Sequence, residues 1–401
     1  MIVLLVAAAA VVLVLAFVSD ARYLLRWSAH RDALRREGRW DELITYVHAH
    51  ARSLRPLLVV QRWWLRPGLA EAQLALDLVH AGDWEGALDR AHTATRRARH
   101  GRKEEPAIVG ALAAVLLQTQ RGDEALELEP RLRALGTPGI RFLASVALVR
   151  VQRGELDVAI ALLQEVLTNF PREDGAWHAM AMALAWKGEF DAANAVLEQP
   201  LHGPQLDPEF VGRLRGLSVP EAAEFLKRIG RRHAGIHGPT RLLAMAEVHL
   251  MSGDIAHASA LVEQARGGAR VSPILDVVHA RLAAHVAAAR GDAATAELEL
   301  KRMDALVAAH RGWSRRHEAG TIRGICHVLL GRPGASSVLI AARERAPGAL
   351  ARMWIGYWLV KAYALDGDRD AADRERQIVA TCAIETWFVR ELAMTAPVAS
   401  A

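Results

Sequence analysis

Seventeen histidines are spread along this chain of 401 residues, enough to ask whether any of them share a metal ion. His317 and Glu318 begin a zinc-protease helix motif, in which two histidines four apart hold the metal and the glutamate serves as base. Thr321 stands four residues past His317, so the second ligand is missing. Among the close pairs His48/His50, His233/His237 and His279/His285, only His233 and His237 have the spacing that puts both on one helix face. Gly235 and Gly238 oppose a helix there. Cys326 and Cys382 lie too far apart for a CxxC knuckle or redox pair and read as small buried apolar residues. A phosphate-cradling GxxxxGK[ST] loop, a GxGxxG after a strand and a GxSxG elbow are all absent. The expectation is a protein without catalytic residues, metal or cofactor.

The elements that carry these residues are helices. Hydrophobic residues make up 52% of the chain but aromatics only 5%, with alanine, leucine and arginine dominant. Period-2 runs of valine, isoleucine and threonine are scarce, so essentially no sheet is expected. One pattern recurs: an apolar helical stretch, a polar turn with glycine, then a second amphipathic stretch. Its glycines are Gly38, Gly82, Gly122, Gly154, Gly188, Gly253, Gly291, Gly331 and Gly367, separated by 44, 40, 32, 34, 65, 38, 40 and 36 residues. The interval of 65 fits two units, one degenerate. Such a period marks stacked helix-turn-helix units, because one helix pair cannot bury its apolar face alone. Glycine closes the first helix, and an Asp or Glu then opens the second, where the helix dipole favours negative charge.

Around Gly188, Trp177, Met180, Ala181 and Leu184 precede the turn, and Phe190, Ala193 and Leu197 follow it. Leu143, Val146, Ala147, Gly154, Leu156, Ala159, Leu163 and Val166 form the preceding unit, which closes on Pro171. These positions resemble the tetratricopeptide repeat family over residues 68 to 381. The resemblance implies an all-α solenoid that binds other proteins or peptide segments along its first-helix faces. Arg150, His178, Met182, Lys187, His249, His279 and Tyr363 are the candidate groove residues.

Ile2 to Val18 is an unbroken apolar run of 17 residues, near the lower limit for a membrane-spanning helix. Arg22 and Arg26 are placed to snorkel, and Tyr23 and Trp27 to sit at headgroup depth. No basic residue precedes the run, which favours an uncleaved anchor over a signal peptide. Arginines crowd its C-terminal side, so the positive-inside rule places the bulk of the chain in the cytoplasm. In Arg55 to Pro67, Trp63 and Trp64 lie among leucines, valines and arginines, a composition that suits either an interfacial helix or the cap of the first repeat.

The expected organisation is therefore an anchor over 1–19, juxtamembrane basic helices with a possible interfacial segment over 20–67, and tetratricopeptide-like repeats over 68–205. A degenerate repeat or hinge follows over 206–238, then repeats over 239–381 and a tail over 382–401. One anchor followed by such an array resembles the layout of bacterial inner-membrane proteins that regulate lipopolysaccharide synthesis. Those carry paired CxxC motifs that this sequence lacks, so that role is not carried over. The layout is also similar to that of a tetrapyrrole-pathway membrane protein. The function expected is a scaffold tethered as a single-pass protein of a bacterial inner membrane. An envelope- or pilus-assembly solenoid is the alternative if the topology is inverted or the N-terminus is cleaved. A pI near 9.5 raises an RNA-binding repeat, but acids interspersed among the bases and the lack of a recurrent polar pair per unit count against nucleic acid.

Overall fold

A residue just past a helix end can take the left-handed conformation, and the amide after it then bonds back into the helix's last turn. The computed structural model describes residues 29–31, 33–34, 39, 41–49, 68–81, 83–98, 104–170, 173–198, 238–269, 273–309 and 316–394, and it repeats this closure along the chain. Gly154, Gly188, Gly253, Gly291, Gly331 and Gly367 have φ between 66° and 84°. The next amide donates to the carbonyl five residues back: Glu155 to Arg150, Glu189 to Leu184, Asp254 to His249, Asp292 to Ala287, Arg332 to His327 and Asp368 to Tyr363, at 2.8–2.9 Å. The turn expected at Gly122 lies two residues earlier. Gln120 takes the left-handed conformation with φ 62°, and Gly122 already begins a short helix, Gly122–Leu126. Glycine serves packing there, since a Cβ would come within 2.9 Å of Val149.

The described chain forms two units. The first comprises residues 1–121 with 310–313. Its helices are α1 (residues 41–49), α2 (Leu69–Ala81), α3 (Trp84–Arg97) and α4 (Glu105–Gln118). Leu43 and Val47 bury α1, while Ala72, Ala94, Ile108 and Ala111 form the core between α2, α3 and α4. Asp83 caps α3 by accepting from the Gly86 amide at 2.9 Å, and its other oxygen meets His48 Nε2 of α1 at 2.8 Å. Asp77, fully buried, pairs with Arg31 at 3.3 Å.

The second unit comprises 122–309 and 314–401. After the short helical turns over 122–140 come α5 (Leu143–Arg153), α6 (Leu156–Asn169), α7 (Asp174–Lys187) and α8 (Phe190–Glu198). Then follow α9 (residues 238–251), α10 (Ile255–Ala269), α11 (Pro273–Ala289), α12 (Ala293–Ala309), α13 (Arg316–Leu329), α14 (Ala335–Glu344), α15 (Ala349–Asp366), α16 (Arg369–Ala380) and α17 (Trp387–Met394). Successive helices pack as antiparallel pairs, and first helices also touch the next first helix, as α11 does α13 and α13 does α15. Alanine permits this close approach: Ala147, Ala159, Ala181, Ala246 and Ala284 are all fully buried. Leucines such as Leu163, Leu243 and Leu300 fill the space between pairs, each worth roughly 1.5–3 kcal/mol of burial. In addition α15 lies against α5, about two hundred residues earlier in the chain.

Among the described residues no helix is long and apolar enough to cross a membrane. The apolar run over 2–18, the interface candidates Arg22, Tyr23, Arg26, Trp27, Trp63 and Trp64, and residues 206–237 of the expected hinge lie outside the described residues.

Candidate functional site

The helix α17 and the residues that lead into it sit on the turns of repeats about two hundred residues earlier in the chain. Trp387 lies over Gly188, where an added Cβ would be 2.8 Å from the Trp387 Cβ and 2.9 Å from Arg390 Nη2. Ile384 lies over Gly154, where an added Cβ would be 2.6 Å from its Cδ1. The Arg390 guanidinium donates to the Lys187 carbonyl. That carbonyl belongs to the last turn of α7, where no intrahelical amide remains to bond it and a cation is favoured by the helix dipole. At the corresponding turns of Gly253, Gly291, Gly331 and Gly367, no described residue has an atom within 4 Å of the Cβ position. The Gly188 turn is thus covered by α17 and the Gly154 turn by Ile384 in the segment that leads into it, while at the other four no described residue comes as close.

Aromatic rings secure this contact. Trp186 of α7 meets Trp354 of α15 edge to face at 5.5 Å and Phe388 of α17 at 6.1 Å. Trp354 stacks on Tyr357 at 5.4 Å and meets Phe388 at 5.4 Å and Trp387 at 5.7 Å. Phe190 of α8 meets Trp387 at 6.1 Å. Such pairs add roughly 0.5–1.5 kcal/mol each beyond area burial, and Phe388 is fully buried. At the polar rim, the Tyr357 hydroxyl donates to Glu391 of α17 at 3.0 Å. Burial, with the nearby Glu391 carboxylate, pushes the Tyr357 hydroxyl well above the usual phenol range. The Lys361 ammonium lies 4.3 Å from the Tyr357 ring centre, and burial lowers its pKa despite Glu391.

Charges are matched across neighbouring first helices. Arg281 of α11 reaches Glu247 of α9 at 2.7 Å and Glu318 of α13 at 3.9 Å. One turn on, His285 meets the Trp358 ring at 6.2 Å. Burial, then the Arg281 charge, hold its imidazole down to about 4.

The described geometry matches known proteins in architecture. A chain in the APC/C hetero-tetramer Cut9-Hcn1 superposes with a TM-score of 0.50 at 14% identity, covering 86% of this chain and 60% of that one. The fold is a tetratricopeptide solenoid. This chain spans under two thirds of that protein's length. A tetratricopeptide repeat protein from Parabacteroides merdae is similar at 15% identity and TM-score 0.42, over 74% of this chain and 98% of that one. Yeast Tom70 is similar at 11% identity and TM-score 0.31, over 94% and 96%. No family model matches the sequence, and no curated protein matches it.

Within the tetratricopeptide repeats, the groove candidates fall in different surroundings. Arg150 bonds Glu129 at 2.7 Å and Glu155 at 2.6 Å, and Lys187 bonds Asp157 at 2.8 Å and Glu189 at 3.2 Å. Met182 packs with Trp186, Phe190 and Trp387 against the core of α7, α8 and α9. His279 is fully buried, meets the Val262 carbonyl at 3.1 Å, and has its pKa lowered by burial and by Arg302. His178 and Tyr363 are half-buried. His249 lies beside Asp254 and stacks on His257. The residues that the sequence reading passed over are Trp354, Trp387, Phe388 and Arg390. Their only signal in the sequence is an aromatic density in 354–358 and 387–388 far above the chain's 5%.

Proposed function

We propose that this chain is a protein-binding scaffold that holds helical segments against the turns of its tetratricopeptide repeats. One observation carries the reading. The array already receives a helix from outside the local repeat, α17, through an apolar pair, Trp387 and Phe388, and a cation on a helix-end carbonyl, Arg390 on Lys187. Apolar anchors with a charge-assisted hydrogen bond at the rim are how helices are recognised in grooves. Four further turns have the same backbone geometry with no described residue over them. The partner expected is a protein that presents an amphipathic helix with an aromatic anchor and a basic residue about one turn on.

The test is binding in trans. A chain ending at Thr381 is mixed with a labelled peptide of residues 382–401 and followed by fluorescence anisotropy. Saturable binding that fails when the peptide carries both Trp387→Ala and Arg390→Ala supports the reading. Absence of binding, or equal binding by the altered peptide, overturns it. Membrane tethering is part of the proposal and rests on the apolar run Ile2 to Val18. Deleting residues 1–19 then releases the protein from the membrane fraction, and a periplasm-dependent reporter fused after Ala401 stays inactive if the bulk of the chain is cytoplasmic.

A further inference from the structure

The turn at Gly253 differs from its equivalents in what flanks it. Asp254 opens α10, and its Oδ1 accepts from the His257 amide at 3.2 Å. Its Oδ2 lies 3.4 Å from His249 Nδ1 and 2.6 Å from His257 Nδ1. The two imidazoles stack at 5.3 Å with their planes 26° apart. One nitrogen from each ring and one carboxylate oxygen therefore converge, all within 4.8 Å of one another.

Nothing in the turn itself calls for two histidines. The five-back position is Arg150, Leu184, Ala287, His327 and Tyr363 in the other turns, and the position three past the acid or its replacement is Val158, Ala192, Thr295, Ala335 and Ala371. Those turns close with the same backbone bonds. The cap at Asp292 forms in the same way with Thr295 where His257 would stand. The His-Asp-His set is thus additional to the fold's requirement.

We propose that His249, Asp254 and His257 form a binding site for one borderline divalent transition-metal ion of the zinc or nickel class. Two imidazole nitrogens and one carboxylate oxygen suit such ions and not magnesium or calcium, which prefer all-oxygen shells. Metal–ligand bonds of 2.0–2.1 Å in a tetrahedral site place ligand atoms roughly 3.4 Å apart, which is the separation of His249 Nδ1 and Asp254 Oδ2. The His257 nitrogen has to draw back from the carboxylate by under an ångström. Its side chain is 73% exposed, free to make that movement and open to an entering ion. Asp254 keeps Oδ1 on the helix cap while Oδ2 binds the metal, and water completes the shell. Each Nδ1 offers its lone pair to the ion, and the neutral imidazole then carries its N–H at Nε2. It ties the end of α9 to the start of α10, closing that repeat's two helices on each other.

The inference is independent of the scaffold reading, because it concerns a turn that α17 does not cover. The full chain in mild detergent is stripped with chelator and titrated calorimetrically with zinc sulfate, and separately with cobalt, whose visible bands report coordination. The expected result is a site filled below about 100 µM zinc whose affinity falls at least about tenfold in each of His257→Ala, His249→Ala and Asp254→Asn. The asparagine retains a cap acceptor, so circular dichroism stays unchanged and lost binding is not lost folding. His92→Ala leaves binding intact. No saturable binding in that range, or binding that survives both His257→Ala and Asp254→Asn, overturns the site.

Discussion

Replacing Gly188 and, separately, Gly253 by alanine isolates the contact made by the C-terminal helix. Both glycines are left-handed, with φ 84° and 82°, so each substitution incurs a similar backbone strain of roughly 1–2 kcal/mol. The surroundings differ. At Gly253 the new methyl meets no described residue within 4 Å, whereas at Gly188 it lies 2.8 Å from the Trp387 Cβ and 3.7 Å from the Trp387 Cα. A backbone-linked neighbour cannot yield by a rotamer change, so α17 has to shift as a body, at an overpacking cost of roughly 1–3 kcal/mol. Gly188→Ala is therefore expected to destabilise more than Gly253→Ala by about that amount. Urea unfolding followed by circular dichroism at helix wavelengths measures both variants, first in the full chain and then in a chain ending at Thr381. The difference is expected in the full chain and expected to vanish in the shortened one. Equal costs in the full chain, or a difference that survives truncation, would refute the docking of α17 on this turn.

Three further outcomes are expected. Phe388→Ala removes a fully buried ring that touches Trp186, Trp354, Tyr357 and Trp387, and should cost roughly 3–5 kcal/mol by chemical denaturation. A loss under about 1 kcal/mol would show that the aromatic cluster is loosely packed. Ala181→Trp forces an indole into a site with no exposed surface and should lower stability by at least roughly 1–3 kcal/mol, an effect absent from thermal melts if the repeat's register is wrong. His285 binds its proton only near pH 4 in the folded chain, against 6.5 ordinarily, so the unfolded chain takes up the proton first as pH falls. Stability then holds above about pH 6.5 and declines toward pH 4, by up to about 3 kcal/mol. His285→Gln should flatten that decline, and an unchanged acid limb in the variant would contradict a neutral imidazole at this half-buried site.

The repeat was legible because its information is short in range. A helix end, a left-handed glycine and a following acid lie within six residues, and six of the glycines chosen from the sequence take the predicted conformation. Gly122 shows where local reading slips: a glycine beside an acid reads as a turn whether its freedom is used for φ or for close packing against Val149. Among the groove residues, Arg150 and Lys187 stand out in the sequence by their position on a helix face. Glu155 and Glu189 are local partners, but Glu129 and Asp157 come from preceding helices, and only the packing angle between helices decides that they meet.

The amino-acid sequence by itself determined the helical class, the helix-turn-helix unit, the small residues at its interfaces and the polar turns that cap it. Those properties follow from propensity and periodicity over a few residues. Only the tertiary structure decided that α17 returns to the turn at Gly188 and Ile384 to the turn at Gly154, that Arg281 bridges α9 and α13, and that His249 and His257 converge on one carboxylate. The meeting of α17 with α7 depends on the small rotation between neighbouring helix pairs, added over several repeats. No local pattern in the chain records that sum.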